Sequence, residues 1–274
     1  VRNAKGDVVS TRTLDKITPL GDLVLLDVQM DKPQLWDVDN PALYTCEVTV
    51  TSNGQKMTAS ERFGFRAFEF IEKGPFMLNG RRLLLRGTHR HEDHAGVAAA
   101  MTEEQMIQEM KMMKEMGVNF IRLGHYQQSE IVLNLCDELG ILVWEEIPWC
   151  RGGVGDENYR GQAKRMLTNM ITQHYNHPSV IIWGLGNEND WPNDFPEFEQ
   201  REIRSLMSEL NTLSHHLDAG RKTAIRRCAF CSDIVDVYSP SIWAGWYRGV
   251  YTDYQKMSRE EMGKVKHFLH VEWG

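Results

Sequence analysis

The chain has 274 residues, of which 42% are hydrophobic and 25% charged, a composition typical of a globular protein with one large domain or two smaller ones. Its formal net charge is −7 and no basic stripe is present, which argues against nucleic acid as a partner. No apolar run reaches the ~18 residues of a membrane-spanning helix, so the sequence predicts no membrane partner either.

The first 72 residues carry signals for strands and no long helical period. Apolar or alternating runs predict strands at 23–28, 43–50 and 58–66. Between the last two, Ser52-Asn53-Gly54-Gln55 has the chemistry of a hairpin turn, because Asn and Gly tolerate positive φ. We therefore expect residues 1–72 to form part of a β-sandwich.

After a linker near residues 72–75, predicted strands alternate with predicted helices. Strands are expected at 82–87, 118–123, 141–147, 179–188, 223–228, 234–238 and 267–272. Helices are expected at 102–116, 129–139, 162–175, 196–217 and 258–266. The first helix begins with a capping box formed by Thr102 and Gln105. Strands that alternate with helices predict a parallel sheet.

Seven strand steps follow the linker, and an eight-stranded barrel takes ~250 residues. We therefore predict an α/β fold in which residues 73–274 form a (β/α)8 TIM barrel truncated after strand 7. An open doubly wound sheet is the alternative, but it requires a Gly-rich phosphate loop after the first strand. Gly87-Thr88-His89-Arg90-His91 lacks that pattern. The chain starts at Val1 and not at a Met, so we expect it to be a fragment. The sequence therefore leaves its compartment and oligomeric state open.

Two of the predicted strands end in a glutamate. Trp183-Gly184-Leu185-Gly186-Asn187-Glu188 closes one of them, and His267-Phe268-Leu269-His270-Val271-Glu272 closes the last. In a TIM barrel the carboxyl ends of the strands carry the active site. Glycoside hydrolysis requires two carboxyl groups that flank one bond. The pattern therefore predicts a glycosidase that uses Glu188 and Glu272.

Further polar residues follow the same strand ends. They are His89, Arg90, His91, Glu92, Asp93, His94, Arg122, His125, Glu145, Glu146 and Asn187. A surface salt bridge explains any single member, and it is the favoured interpretation for Asp93 or His94 alone. The whole set carries too much charge for a packing layer, so it predicts a polar pocket.

The same residues resemble glycoside hydrolase family 2, which contains β-galactosidases, β-glucuronidases and β-mannosidases. The resemblance extends over nearly the whole chain. The motifs are Leu35-Trp36 with Asn40-Pro41-Ala42-Leu43-Tyr44 and Phe63-Gly64-Phe65-Arg66, Leu78-Asn79-Gly80 through Leu85 to Asp93, Asn119 through Tyr126, and Gly186-Asn187-Glu188. The first of these implies that residues 1–72 belong to the immunoglobulin-like domain that precedes the family's barrel.

The resemblance also implies roles for single residues. Glu188 would be the general acid/base, and Glu272, followed by Trp273-Gly274, would be the nucleophile of a retaining reaction. Asn187 would bind the sugar hydroxyl beside the reacting carbon. The substrate pocket would further contain His91, Arg122, His125, Glu146 and Trp243.

A retaining mechanism needs two differently tuned carboxyl groups ~5–5.5 Å apart. Glu272 must be ionised, which a nearby cation such as Arg122 favours. Glu188 must hold a proton near neutral pH, and we expect the negative charge of Glu272 to raise the pKa of Glu188.

The sequence departs from the family at two places. Galactosidases with a magnesium site take ligands from a Glu-x-His pattern after the third strand, whereas Glu145-Glu146-Ile147-Pro148-Trp149-Cys150-Arg151 contains no His. We therefore predict no metal and no cofactor, with a zinc site at His89, His91 and His94 as the less favoured alternative. Trp243 stands where many relatives have a Tyr that donates a hydrogen bond to the nucleophile. Trp243 either replaces that donor or forms a platform for sugar.

The main prediction is an exo-acting, retaining β-glycosidase of the β-galactosidase type, with carbohydrate as its partner. The alternative is a β-glucuronidase, whose carboxylate-binding residues would lie beyond Gly274, or another β-glycosidase of the family. A carbohydrate-binding protein with a degenerate barrel is the non-enzymatic alternative, although both predicted catalytic carboxyl groups are present. The sequence leaves the sugar and its linkage open.

Overall fold

The computed structural model describes residues 1–16, 24–192 and 198–272. Its first element is an antiparallel hairpin of β1 (Tyr44–Ser52) and β2 (Gln55–Phe63). Asn53 and Gly54 form the turn with φ of 51° and 78°, so the predicted turn chemistry is confirmed. The strand predicted at 23–28 is wrong, because residues 24–28 pair with no strand and Leu23 lies outside the described residues.

A small antiparallel sheet, which the sequence analysis missed, lies between the hairpin and the barrel strands. It consists of β3 (Phe68–Phe70), β4 (Phe76–Leu78) and β5 (Arg81–Arg82). Its strands have two or three residues, too few for the alternation of apolar and polar residues to be recognised. Their apolar side chains pack against Phe120, Leu142 and other residues of the parallel sheet.

Six parallel strands form the main sheet, in the order in which they occur in the chain. They are β6 (Gly87–Arg90), β7 (Phe120–Leu123), β8 (Leu142–Glu146), β9 (Val180–Asn187), β10 (Lys222–Arg226) and β11 (Val237–Ser239). Chain order combined with parallel pairing is the arrangement of a TIM barrel, so the predicted fold class is confirmed for these strands.

The helices connect these strands on the outside of the sheet. They are α1 (Glu103–Glu115), α2 (Glu130–Leu139), α3 (Glu157–His174), α4 (Gln200–Leu217) and α5 (Tyr254–Lys264). The capping box at α1 is present, since Thr102 accepts from the backbone of Gln105 and the Gln105 side chain accepts from the backbone of Thr102. Among the described residues, none of the helices combines the length and the apolarity needed to cross a bilayer.

The first barrel strand lies further along the chain than predicted. The apolar run at 83–85 suggested a strand at 82–87, but pairing with β7 begins only at Gly87. A Cβ on Gly87 would lie 2.7 Å from the Phe120 oxygen, so this close approach requires glycine. As a result, His89 and Arg90 lie within the strand rather than after it.

The seventh predicted strand, 267–272, is reduced to a single parallel bridge between Tyr238 and Phe268. The segment follows β11 closely, because Leu269 donates its backbone N–H to Tyr238 at 3.1 Å. A cavity of about 880 Å³ lies between β6 and residues 269–272. Glu272 therefore reaches the edge of the sheet on an extended segment with few ladder hydrogen bonds.

Trp36 connects the hairpin region to the barrel. Its side chain is fully buried, and its indole N–H donates to the Asp137 backbone oxygen at 2.8 Å. Arg66 adds a second connection by donating to the Val180 backbone oxygen at 2.7 Å. Both residues belong to motifs that resemble the domain before the barrel, so those motifs form the contact surface with the barrel.

Candidate active site

Arg122 lies at the centre of the polar cluster at the carboxyl ends of the strands. Its guanidinium is fully buried and donates to Glu146 at 2.9 and 3.0 Å, to Glu272 at 2.8 Å and to Asn187 at 2.8 Å. These partners come from three different segments of the barrel. One planar guanidinium with several fixed donors can therefore hold most of the predicted site together.

Glu146 is buried behind Arg122. Besides Arg122, its carboxylate accepts from the indole of Trp144 at 2.8 Å and contacts His125 Nδ1 at 2.6 Å. Burial alone would raise the pKa of Glu146, but Arg122 and His125 outweigh burial and hold it below its ordinary value. Glu146 is thus an ionised carboxylate whose oxygens are all engaged by protein groups.

Glu188 directly follows β9 and has a left-handed conformation with φ of 54°, which for a residue with a side chain costs about 1–3 kcal/mol. Its carboxylate contacts Arg226 at 2.6 Å, Arg227 at 3.4 Å and Arg151 at 3.6 Å. Burial would raise the pKa of Glu188, but these arginines, chiefly Arg226, lower it. The expectation of a raised pKa is therefore wrong in this geometry, because the neighbouring cations outweigh burial.

Arg226 is the site residue that the sequence analysis missed. It is fully buried at the end of β10 and contacts Glu188 at 2.6 Å and Glu272 at 2.9 Å. One guanidinium thus touches both predicted catalytic carboxylates. The strand at 223–228 was predicted, so a survey of polar residues at its end would have found the arginine pair Arg226 and Arg227.

Three histidines line the same pocket. The rings of His89, His91 and His125 lie 4.6 to 5.2 Å apart, and one ligand nitrogen of each lies within 4.8 Å of the others. Burial, and then Arg122, lower the pKa of His89 to about 2. Burial, followed by His125 and Arg122, also lowers the pKa of His91. His89 and His91 therefore offer neutral imidazoles to whatever occupies the pocket.

The predicted zinc alternative used His94, which does not join this group. His94 instead contacts Glu109 of α1 at 3.2 Å. The spacing of His89, His91 and His125 would allow a metal ion, but Arg122 contacts His125 at 3.3 Å, and its charge opposes a second cation.

Other members of the predicted polar set lie outside the pocket. Arg90 contacts Gln128 and Glu109 between the sheet and its helices, and Glu145 accepts from His174 in the same layer at 2.7 Å. Successive residues of a strand face opposite sides, so Arg90 and Glu145 point away from the pocket that their neighbours line. Glu92 accepts from the backbone of Ser129 at 3.4 Å.

Trp243 lies beside the site on the loop after β11. Its ring is 5.4 Å from the guanidinium carbon of Arg226 and 5.4 Å from the ring of Tyr247. Within the described residues its indole N–H has no hydrogen-bond partner. The prediction that Trp243 replaces the tyrosine donor to Glu272 is thus not supported by this geometry, whereas a role towards sugar stays a prediction.

Comparisons with known proteins identify the family. A family model described as the TIM barrel domain of glycosyl hydrolases family 2 matches residues 70–272, and a model described as glycosyl hydrolases family 2 matches residues 2–66. A solved β-glucuronidase from Parabacteroides merdae has a TM-score of 0.96 at 69% identity, covering 100% of this chain and 34% of that one.

Two curated relatives extend the comparison. A putative β-glucuronidase from Formosa agariphila is 52% identical over 244 residues, which are 88% of this chain and 30% of that protein. A β-galactosidase from Thermoanaerobacterium thermosulfurigenes is 36% identical over 208 residues, which are 75% of this chain and 27% of that protein. The chain thus spans less than a third of the length of these relatives. The chain belongs to glycoside hydrolase family 2, as its motifs predict.

Proposed function

We propose that this chain carries the catalytic carboxylates of a retaining β-glucuronidase. The observation that carries the proposal is the position of Glu188 and Glu272 on a single guanidinium, that of Arg226. Two carboxylates held this close suit the ~5–5.5 Å separation of a retaining mechanism better than the wider gap of an inverting one.

The comparisons favour glucuronide over galactoside as the substrate. The solved β-glucuronidase at 69% identity and the putative β-glucuronidase at 52% are both more similar to this chain than the β-galactosidase at 36%. The main prediction from the sequence, a β-galactosidase, is therefore less well supported than its alternative. A terminal β-linked glucuronic acid is the substrate that we propose.

The proposed reaction proceeds in two steps. First, a Glu272 oxygen attacks the anomeric carbon, the glycosidic C–O bond breaks, and the leaving oxygen takes the proton of Glu188. Second, water attacks the same carbon, Glu188 accepts its proton, and the ester bond to Glu272 breaks. Arg122 and Arg226 would hold the Glu272 carboxylate in place for the attack, because each guanidinium contacts one of its two oxygens.

The remaining predicted residues would position the sugar. We propose that Asn187 binds the hydroxyl beside the reacting carbon, since Arg122 already fixes its side-chain oxygen at 2.8 Å. His91 and His125 would contact further hydroxyls directly or through water. Glu146 would act mainly by holding Arg122 and His125, because its oxygens are engaged by protein groups.

The test is a comparison of aryl β-glucuronide and aryl β-galactoside with the same aglycone, using the full-length protein encoded by the gene. We expect turnover of the glucuronide and its loss in Glu272→Gln. Galactoside turnover without glucuronide turnover would favour the β-galactosidase instead. Binding of sugar without turnover of any aryl glycoside would favour the carbohydrate-binding alternative.

A further inference from the structure

We propose that Arg226 is a positioning residue that fixes the relative placement of Glu188 and Glu272, and that Trp243 supports its guanidinium. This inference rests on the proposed function, since it concerns the same pair of carboxylates. It goes beyond that function because it assigns the geometry of the pair to a residue of β10 and to a tryptophan of the loop after β11.

The contacts of Arg226 provide the first argument. One terminal nitrogen lies 2.6 Å from Glu188 Oε1, and the other lies 2.9 Å from Glu272 Oε1. The contact with Glu272 is an ion pair without hydrogen-bond geometry, since that nitrogen of Arg226 has no hydrogen-bond partner among the described residues. Because the guanidinium is rigid and planar, its two terminal nitrogens still limit the distance between the carboxylates. Arg122 holds the other oxygen of Glu272 at 2.8 Å, which leaves Arg226 as the connection to Glu188.

The backbone provides the second argument. Arg226 pairs with Asn187 in the ladder between β9 and β10, and Glu188 donates its backbone N–H to the Arg226 oxygen at 3.1 Å. Backbone and side chain of Arg226 therefore both contact Glu188. This double attachment accompanies the left-handed backbone at Glu188, where a residue with a side chain needs support from its surroundings.

Trp243 provides the third argument. Its ring lies 5.4 Å from the guanidinium carbon of Arg226, within the range of a cation–π contact. Tyr247 contacts the Trp243 ring edge-on at 5.4 Å, which orients that ring in turn. Trp243 thus restricts movement of the guanidinium towards its ring. The carboxylates lie at the nitrogens and do not restrict that movement.

The position of Arg226 also has an electrostatic consequence that can be measured. Charged groups that face Glu188 are Arg226, Arg227 and Arg151, with Glu272 and Asp190 beyond the first two. Arg226 is the foremost of the cations that lower the pKa of Glu188. Its removal should therefore raise the pKa of Glu188 and move the alkaline limb of the kcat/KM profile to higher pH.

The experiment compares Arg226→Met and Arg226→Lys in the full-length protein, assayed with the aryl glycoside that the wild type turns over best. Met removes the charge and the fork, and Lys keeps the charge but cannot contact two carboxylates as a fork. We expect kcat/KM to fall ~10²-fold in Arg226→Met, the cost of a ~1 Å misplacement, and less in Arg226→Lys. The alkaline limb of the kcat/KM profile should move to higher pH by about one unit in Arg226→Met.

Arg221→Met is the matched control. Arg221 is likewise buried, stacks on Trp183 at 5.3 Å and pairs with Asp218 at 2.7 Å, but it lies at the opposite ends of the strands. Arg221→Met should lower the melting temperature without moving the alkaline limb of the kcat/KM profile. Trp243→Phe, which keeps a ring, should stay within ~3-fold of wild type, whereas Trp243→Ala should lose ~10-fold.

An activity loss in Arg226→Met with an unmoved alkaline limb, matching the behaviour of Arg221→Met, would overturn the inference. Wild-type activity in both Arg226 variants would do the same. A second readout, carbodiimide labelling of Glu188 followed by peptide mass spectrometry, needs no turnover. The pH at which labelling falls off should be higher in Arg226→Met and unchanged in Arg221→Met and Trp243→Phe. If the wild type turns over no glycoside, the proposed function fails while this labelling still decides the role of Arg226.

Discussion

Glu146 ends β8 and Glu188 directly follows the neighbouring strand β9, but their surroundings differ. The side chain of Glu146 is fully buried, whereas that of Glu188 is 18% exposed. Arg122, Trp144 and His125 all contact Glu146. Among the charged groups of the described residues, only arginines contact Glu188. Arginines outweigh burial in both cases, so the pKa of each carboxyl is lowered.

We interpret the difference as that between a structural carboxylate and the proposed acid/base residue. Glu146 has no oxygen left for a substrate, and its charge balances a buried guanidinium. Glu188 faces the opening of the site, where a proton can reach it from a leaving group or a water. A lowered pKa suits the second step of a retaining reaction, in which the residue acts as a base, and it should confine the first step to lower pH.

The largest expected effect among the variants that keep some activity is that of Glu188→Gln. A general acid contributes about 10²–10⁴-fold, so kcat/KM for a glycoside with a poor leaving group should fall by that factor. A nitrophenolate-type leaving group needs less protonation, so with such a substrate the rate of glycosyl-enzyme formation should fall by a much smaller factor. Glu272→Gln should abolish turnover of both substrates. Equal losses of kcat/KM with both aglycones in Glu188→Gln would contradict the acid/base role.

Glu146→Gln should instead act mainly on stability. Removing one partner of a buried ion pair costs about 3–5 kcal/mol, which urea unfolding can measure. Glu145→Gln is the matched control, since Glu145 is also buried but pairs with His174 on the outer face of the sheet. Glu145→Gln should lower the free energy of unfolding with little change in kcat. A Glu146→Gln protein as stable as wild type would contradict the structural role.

His89 should make stability depend on pH. Its pKa is about 2 in the folded chain and 6.5 in the unfolded one, so below pH 6.5 the unfolded state binds a proton that the folded state does not. Stability contributed by neutral His89 is thus full at high pH and is lost as the pH falls from 6.5 towards 2. Between pH 7.5 and 5 the loss should be roughly 1–2 kcal/mol.

The measurement for His89 is urea unfolding at the two pH values. His89→Asn should flatten the pH dependence, whereas His94→Asn, outside the pocket, should leave it as in wild type. Equal slopes in wild type and His89→Asn would show that burial does not hold this imidazole neutral.

The smallest expected effect is that of Arg227→Ala. Arg227 contacts Glu188 at 3.4 Å, but it is 29% exposed and also pairs with Asp190 at 3.0 Å. Solvent screens such a pair, so kcat/KM should change less than ~3-fold, and the alkaline limb should rise less than in Arg226→Met. An effect as large as that of Arg226→Met would mean that charge alone, rather than the fork of Arg226, controls Glu188.

Much of the fold could be predicted because its signals are local. The capping box at Thr102, the Asn53-Gly54 turn and the alternation of strands with helices each occupy a few neighbouring residues. The error at the first barrel strand had a different cause. Leu83 to Leu85 form the stronger apolar run, but pairing with β7 starts at Gly87, and the start decides which of His89 and Arg90 faces the pocket.

By itself the sequence determined the family, the α/β alternation and the two glutamates at strand ends, since motifs and periodicity are carried by residues close together in the chain. Only the tertiary structure decided the electrostatic setting of those glutamates. The contact between Arg122 and Glu272 joins residues 150 apart, and that between Arg226 and Glu188 joins residues 38 apart. Coulombic interactions depend on distances in the folded chain, so the pKa of Glu188 and the role of Arg226 follow from packing rather than from pattern.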